Sequence, residues 1–272
     1  MKILFIGDVV AKKGQEALQQ YLPELKQKYK PQLTIVNGEN IAENGKGINE
    51  KLYKWLLNLG ADVVTLGNHA WDNREIYEFI ERAHCLVRPI NLPKTTAGQG
   101  IHYVKVNEVE VAIINALGSV FMGPNIDPFQ YLPDVISEVR KRTSHIILDF
   151  HAETTSEKQA ISWLLDGQVT AVFGTHTHVQ TNDARILPKG TAFMSDVGMT
   201  GALNSIIGFK PSDVLQRFTT QLPHRLEPET TGPMMLSGVF IETENSTGLT
   251  KKIEPITISE LRTATTNRRK FE

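Results

Sequence analysis

The sequence contains one cysteine, Cys85, in 272 residues. A single thiol excludes an intrachain disulfide and also excludes a structural zinc site built from several thiolates. The chain is long enough to fold around a substantial hydrophobic core without such crosslinks. Scarce cysteine is compatible with a reducing compartment, so we expect a cytoplasmic location.

Long apolar runs and an excess of one charge sign are also missing. No stretch of about 18 apolar residues occurs, so no membrane span is expected. The first apolar run ends at Gly7-Asp8 and is too short for a secretory signal. The 29 basic and 30 acidic residues give a formal net charge of -1. No global attraction to nucleic acid or to a membrane surface is therefore predicted.

What the sequence does contain is an alternating pattern of elements. Short apolar, β-branched runs alternate with segments of helical spacing through the first 90 residues, and strand-like runs predominate afterwards. The pattern predicts a single α/β domain over residues 1–262, with two sheets flanked by helices, and a polar C-terminal tail over 263–272. The stretch 121–134, which contains Pro and Gly, is predicted as a long loop of the kind that often forms an interface.

Metal-competent side chains directly follow five of the predicted strands. In open α/β sheets, ligands bind outside the carboxyl ends of the strands. Each residue alone has a simpler explanation as a turn residue, a helix cap or a structural histidine. Their joint occurrence at five strand ends favours a metal site. The side chains are those of Asp8, Glu39, Asn40, Asn68, His69, His151, His176 and His178.

The chemistry of this set indicates the kind of metal and reaction. Carboxylate, amide and imidazole ligands without thiolate suit Fe, Mn, Zn or Co. Seven candidate ligands exceed the need of one ion, so two metals are expected, and Asp8 or Glu39 could bridge them. Two ions about 3.5–4 Å apart activate water and clamp both oxygens of an in-line displacement at phosphorus. His69 would then be a spare imidazole that protonates the leaving oxygen.

Five ordered blocks resemble the motif set of the calcineurin-like metallophosphoesterases: Gly7-Asp8, Gly38-Glu39-Asn40, Gly67-Asn68-His69, His151 and Gly174-Thr175-His176-Thr177-His178. Their particular variants, together with Asp-Val-Gly-Met-Thr-Gly at 196–201, are similar to the YmdB-type cyclic-nucleotide phosphodiesterases over nearly the whole chain. The resemblance implies the two-sheet metallophosphoesterase sandwich, with its site at the carboxyl ends of the strands.

The chain departs from the wider superfamily at two positions, and the YmdB-type subgroup shares both changes. Val10 stands where a histidine ligand is usual, and Glu39 stands where a bridging Asp is usual. In the subgroup, the adjacent Asn fills the vacant position. The resemblance implies iron as the metal, with Mn or Zn acceptable, and His69 as the proton donor. One ion would be held by Asp8, Glu39, Asn40 and His178, and the other by Glu39, Asn68, His151 and His176, with Glu39 as the bridge.

The function expected from this resemblance is that of a bacterial enzyme, a binuclear metal-dependent phosphodiesterase. Its substrates would be 2′,3′- and/or 3′,5′-cyclic nucleotides, with a metal-bridging hydroxide as the nucleophile. One alternative is a phosphomonoesterase or nucleotidase on the same metals. Another is a regulatory protein that binds a nucleotide or an RNA end, because the subgroup is associated with RNA turnover. The family also suggests a homo-oligomer. Two Gly-bearing loops, 43–47 and 200–205, are either phosphate-contacting segments or plain surface loops.

Overall fold

The computed structural model describes residues 1–260, and the predicted tail over 263–272 lies outside that range. Two β-sheets pack face to face, and helices cover both outer faces. The elements in chain order are β1 Lys2–Ile6, β2 Asp8–Val9, α1 Ala11–Tyr29, β3 Leu33–Asn37, α2 Glu50–Leu59, β4 Val63–Thr65, α3 Ile76–Phe79, β5 Leu86–Val87, β6 Ile101–Val106, β7 Val109–Leu117, α4 Pro128–Arg140, β8 His145–His151, α5 Thr155–Leu164, β9 Ala171–Thr175, β10 Arg185–Ile186, β11 Ala192–Met194, β12 Met199–Ala202, α6 Pro211–Thr220, β13 Met234–Thr243 and β14 Thr250–Ser259.

The first sheet is built around β1. Strands β1, β3, β4 and β5 are parallel neighbours, and β13 runs antiparallel to β1 on its other side. Along β1, Ile3 and Phe5 belong to the core between the sheets, whereas Leu4 and Ile6 belong to the outer core under the helices. Both faces of the strand are apolar because both are covered, which is typical of parallel sheets.

The second sheet has the strand order β10-β11-β9-β8-β7-β6, and β7, β8, β9 and β11 are parallel. Its inner face meets the first sheet in a shared core, in which the ring centroids of Phe5 and Phe173 are 5.4 Å apart. At the end of β3, the Asn37 side-chain amide donates to the Asp149 carboxylate in β8 at 3.0 Å. The carboxyl ends of the parallel strands in both sheets therefore open at one common edge of the sandwich.

Local signals explain where the helices begin and end. Helix α2 starts after Asn49, whose side chain accepts a hydrogen bond from the Leu52 N–H, and it stops at Gly60 with φ 107°. Asn at the cap and a left-handed Gly at the end are the residues that the sequence predicts there. Helix α1 covers the first sheet, and α4 and α5 cover the second.

One part of the predicted secondary structure was wrong. The predicted loop over 121–134 contains the start of α4, because Asp127 accepts a hydrogen bond from the Phe129 N–H and Pro128 occupies the first helical turn. The helix tolerates Pro133 since the neighbouring Leu132 is buried against the second sheet. The region after 199 also contains β12, which pairs with β2 and β13.

The fold has two further properties that bear on function. Within residues 1–260, no helix combines the length and the apolar character needed to cross a membrane. Both sheets share one core within residues 1–260, and the single domain over 1–262 stays a prediction.

Candidate metal centre

Strand ends from both sheets bring the eight predicted side chains to one edge of the sandwich. The first sheet supplies residues that follow β1, β3 and β4, and the second supplies residues at the ends of β8 and β9. Contacts link the two sets: the His176 N–H donates to Asp8 Oδ2 at 3.2 Å, and the His69 N–H donates to Glu39 Oε2 at 3.1 Å. The structure thus gathers every residue singled out in the sequence.

The first group surrounds His151 Nε2. This atom lies 2.9 Å from Asn68 Oδ1, 3.1 Å from His176 Nδ1 and 3.0 Å from Glu39 Oε1. Candidate ligand atoms of Glu39, His151 and His176 all lie within 4.8 Å of one another. These four side chains are the ones that the resemblance assigns to one ion.

The second group lies around His178 Nε2. This atom is 3.3 Å from Asn40 Oδ1 and 3.9 Å from Asp8 Oδ1. The Asn40 amide nitrogen is held by donation to the Gly45 carbonyl at 3.0 Å, which turns the amide oxygen of Asn40 toward the histidine. Asp8, Asn40 and His178 belong to the other implied ligand set.

The three histidines each use one ring nitrogen to bond the protein, so their other ring nitrogens are directed at the site. His151 Nδ1 donates to Thr175 Oγ1 at 2.8 Å, and His178 Nδ1 donates to the Ile207 carbonyl at 2.8 Å. His176 Nε2 lies 3.0 Å from Glu153 Oε2. Metal-ligating histidines characteristically have such partners, which fix the tautomer and the ring orientation.

The hydroxyl of Thr175 connects His151 to a buried carboxylate. Its Oγ1 donates to Asp149 Oδ1 at 2.6 Å, so the same oxygen serves as the acceptor for His151 Nδ1–H. Asp149 is fully buried, and burial raises its pKa to about 7. The chain from Asp149 through Thr175 to His151 therefore sets the direction of His151 Nε2.

The backbone of the His-x-His segment is strained and is held by hydrogen bonds to Asp196. His176 has φ 99° and His178 has φ 65°, in the left-handed region that residues other than Gly rarely occupy. Between them, the Thr177 N–H and hydroxyl both donate to Asp196 Oδ2, at 3.0 and 2.8 Å. Asp196 is in turn paired with the fully buried Lys158 at 2.9 Å. These contacts offset the cost of holding both histidines in this conformation.

Opposite charges are packed closely together at the site. Burial opposes ionisation of Glu39, but the charge of His151 outweighs it and lowers the Glu39 pKa to about 2. Burial also opposes protonation of His151, yet the carboxylates of Glu39 and Asp8 raise its pKa to about 9. Burial and the charged His151 lower the pKa of His176 to about 3. A proton on His151 thus takes the place that a metal ion would occupy.

Buried oxygen atoms without partners show that the residues fit a metal ion. Asp8 Oδ1 and Glu39 Oε1 have no hydrogen-bond donor within the described part of the chain. Glu39 Oε1 is close to His151 Nε2, but not at an angle that makes a hydrogen bond. Neighbouring ligands of an octahedral ion at about 2.1 Å are roughly 3 Å apart, which matches the spacing around His151 Nε2. A Cβ on Gly67 would lie 2.3 Å from Glu39 Oε2, so only Gly leaves room for this arrangement.

His69 differs from the other histidines of the set. Its Nδ1 lies 2.8 Å from Asp72 Oδ2, and its side chain is 26% exposed. The Asp72 carboxylate accepts the Nδ1–H and leaves the Nε2 edge available to a bound molecule. His69 also lines a cavity of ≈ 800 Å³ that opens beside the metal residues.

Several residues of the site escaped the sequence reasoning. Asp72 contacts His69 through its carboxylate. Glu153 lies beyond the end of β8, whereas Asp149 lies within β8 two residues before His151, a spacing that places side chains on one face of a strand. That spacing was a usable signal. The roles of Thr175 and the Ile207 carbonyl carried no comparable signal, because each contacts its histidine only through the tertiary fold.

The two-sheet sandwich with these side chains at its strand ends defines a fold of the metallophosphoesterase class. Residues 4–256 match the model of a family described as "YmdB-like protein", and the chain belongs to this family. The fold class and the family expected from the sequence are thereby confirmed.

Individual relatives agree with this placement. A Bacillus subtilis (strain 168) protein described as "2′,3′-cyclic-nucleotide 2′-phosphodiesterase" is 51% identical over 260 residues, which cover 96% of this chain and 98% of that protein. A crystal structure of a novel phosphatase from Mycoplasma pneumoniae has a TM-score of 0.89 at 38% identity, and the match covers 95% of this chain and 93% of that one. The NAD nucleotidase of Haemophilus influenzae shares the fold alone, with a TM-score of 0.53 at 15% identity over 94% of this chain and 55% of that one.

Replacing Thr175 by Val removes the acceptor for His151 Nδ1–H while keeping the shape of the side chain. We expect metal affinity to fall about 10- to 100-fold, because partners of this kind orient a ligating histidine. Thr175→Ser retains a hydroxyl and is expected to bind metal nearly as the unaltered protein does. Competition with a chromophoric chelator measures the affinity without reference to activity. Equal affinities for the Val and Ser variants would contradict this role of Thr175.

Metal uptake is expected to release a proton below about pH 9, since the His151 pKa is raised to about 9. Apparent metal affinity should therefore increase with pH and level off near pH 9.

In the metal-free protein, the raised His151 pKa stabilises the fold fully below pH 6.5, and this contribution to the free energy of unfolding is lost as pH rises through about 9. Calorimetric titration with metal at pH 7.5, in two buffers of different ionisation enthalpy, counts the released protons. Zero release would show that His151 carries no such proton.

Proposed function

We propose that this chain is a metal-dependent phosphodiesterase that hydrolyses 2′,3′-cyclic nucleotides. The observation that carries the proposal is the convergence of three histidine ring nitrogens on two buried carboxylate oxygens that have no donor among the described residues. The substrate class is supported by 51% identity to the Bacillus subtilis protein over nearly the full length of both chains.

The proposed metal ligands divide into two sets that share Glu39. One set is completed by Asp8, Asn40 and His178, and the other by Asn68, His151 and His176. Two ions bound there would supply Lewis acidity, which activates water and neutralises charge on phosphoryl oxygens. We expect iron to be the bound metal. A ligand set without thiolate is also suitable for Mn or Zn.

The protein itself supplies the proton for the leaving group. In the proposed reaction the oxygen of water bonds to phosphorus, the P–O2′ bond breaks, and the 2′-oxygen takes a proton from His69. The proton that the water gives up passes to solvent, from which His69 is protonated again. Asp72 holds the His69 ring through Nδ1, so that Nε2 is the atom that faces the leaving oxygen. The product is a nucleoside 3′-phosphate. The same groups would serve a 3′,5′-cyclic diester, in which a different ribose oxygen leaves.

The remaining expectations about the biological setting stay predictions. A cytoplasmic location is still suggested by the lone Cys85, and a link to RNA turnover by the subgroup resemblance. A homo-oligomer is supported by the solvent-exposed Phe121, which is 88% exposed within the stretch that the sequence analysis singled out as a contact.

Replacing His69 by Gln should lower kcat for a cyclic nucleotide about 10²- to 10⁴-fold, the usual effect of losing a positioned acid. The loss should be much smaller for bis(4-nitrophenyl) phosphate, because nitrophenolate leaves without a proton. Metal content, measured by elemental analysis, should stay the same. An equal loss on both substrates would argue against proton donation by His69.

The substrate class is tested by a matched panel of 2′,3′-cyclic, 3′,5′-cyclic and linear 5′-monophosphate nucleotides, assayed with metal-reconstituted protein. We expect a preference for the 2′,3′-cyclic diester that a chelator abolishes and added metal restores. Phosphate release from the monoester alone would instead support a phosphomonoesterase. Two bound metals with no turnover would support the regulatory binding role.

A further inference from the structure

The cavity beside His69 is larger and more charged than a single cyclic phosphate requires. Its ≈ 800 Å³ is near the upper end of the range of roughly 300–1,000 Å³ typical of small-molecule sites. Its walls come from the Gly-bearing loop after β3, the residues just before α6, the last turn of α6 and the segment that follows α6. Its lining includes Glu43, His69, Phe209, Arg217, Arg225 and Pro228.

Most of the charges in this cavity are already neutralised by neighbours. Lys210 pairs with Glu227 at 2.7 Å, and His224 lies 3.7 Å from Asp213. Arg217 and Arg225 are both exposed, and neither guanidinium makes an ion pair or a hydrogen bond within residues 1–260. These two cations are therefore available to an anion that enters the cavity.

The opposite charge in the cavity is small. Glu43 is the lining carboxylate that has no cationic partner within 4.0 Å among the described residues. Two unpaired guanidinium groups against one carboxylate leave an excess of positive charge. Guanidinium groups bind phosphate through two parallel N–H donors, so they suit a phosphate better than a carboxylic ligand or a neutral one.

An apolar wall lies next to these cations. Phe209 and Pro228 both line the cavity, and Phe209 is fixed by paired backbone hydrogen bonds with Ile206, each 3.0 Å long. A nucleobase has an apolar face that can pack on such a surface. The cavity thus combines the proton donor His69, an apolar wall and two unpaired cations.

We propose that Arg217 and Arg225 bind a second phosphate of the substrate, one that is distinct from the cyclic diester being hydrolysed. This inference rests on the proposed function and specifies its substrate class: nucleotides that carry a 2′,3′-cyclic phosphate and a further phosphate on the 5′ side. The scissile diester lies at the metal residues beside His69. The second phosphate extends into the cavity to the two guanidinium groups.

Two kinds of substrate carry a second phosphate on the 5′ side of a 2′,3′-cyclic phosphate. The first is a mononucleotide with a 5′-phosphate, and the second is the 3′ end of an oligoribonucleotide, where a phosphate on the 5′ oxygen joins the preceding nucleotide. Both place a phosphate at the same distance from the cyclic diester. They differ in charge and in the presence of a preceding nucleoside, so a suitable set of substrates separates them.

The test compares kcat/KM for adenosine 2′,3′-cyclic phosphate, its 5′-phosphorylated form and the dinucleotide ending in a 2′,3′-cyclic phosphate. We expect the second phosphate to raise kcat/KM about tenfold or more, chiefly through KM, and the gain to shrink with added salt. A larger gain for the dinucleotide would identify the oligoribonucleotide as the source. A larger gain for the 5′-phosphorylated mononucleotide would identify the free nucleotide.

The double variant Arg217→Gln/Arg225→Gln should bring the ratio of kcat/KM between these substrates close to one. The control Arg140→Gln/Arg142→Gln removes the same charge beside the amino end of β8, at the edge opposite the strand ends of the site. It should leave the ratio unchanged. A ratio near one in the unaltered protein, or one that the first double variant leaves unchanged, would overturn the proposal.

A binding measurement keeps the two proposals separable. Calorimetry with adenosine 3′-monophosphate and adenosine 3′,5′-bisphosphate reports the second phosphate without any turnover. We expect tighter binding of the bisphosphate by about tenfold, and loss of that difference in the Arg217→Gln/Arg225→Gln variant. Absent turnover of every cyclic phosphate would refute the proposed function alone, whereas equal binding of the two ligands would refute the second-phosphate site.

Discussion

A buried hydrogen bond between the two sheets supports the whole candidate site. The Asn37 amide donates to Asp149 Oδ2 at 3.0 Å, and both side chains are fully buried. The Asn37 oxygen accepts the Glu39 N–H at 3.1 Å, while Asp149 Oδ1 accepts the Thr175 hydroxyl. Glu39 belongs to the first sheet and His151 to the second, so their separation depends on this crosslink. Because unpaired buried polar groups are costly, the crosslink also fixes how the sheets are aligned.

The buried charges of the site link the stability of the fold to metal binding. Within a few ångströms the site buries Asp8, Glu39 and Asp149, and His151 is the cation that the protein itself places among them. Two carboxylate oxygens of this cluster lack donors in the described chain. A ligand that binds only the folded state stabilises it by mass action. A metal ion would therefore relieve the charge cost that the fold accepts in order to build the site.

The sequence was sufficient for the positions of the proposed ligands but not for their support. Parallel strands end at a common edge of the sheet. The location of a carboxylate or imidazole that directly follows an apolar run can therefore be predicted from the sequence. The support residues are different because their partners are distant in sequence. Thr175 meets His151 across neighbouring strands, and the short strand Asp8–Val9 forms only by pairing with β12, about 190 residues later. The start of α4 was missed for another reason: the Pro and Gly residues suggested a loop, whereas burial of Leu132 favours the helix.

One strained turn connects the proposed metal ligands to the proposed substrate cleft. Ile207 is a β-branched residue with φ 49°, and Gly208 follows it with φ 97°, a pair that suits Gly or Asn far better than Ile. Such strain costs on the order of 1–3 kcal/mol and persists only where surrounding contacts require it. Here the Ile207 carbonyl accepts His178 Nδ1–H, and the turn delivers Phe209 to the cavity wall. The orientation of His178 and the shape of the cleft therefore depend on the same turn, residues 206–209.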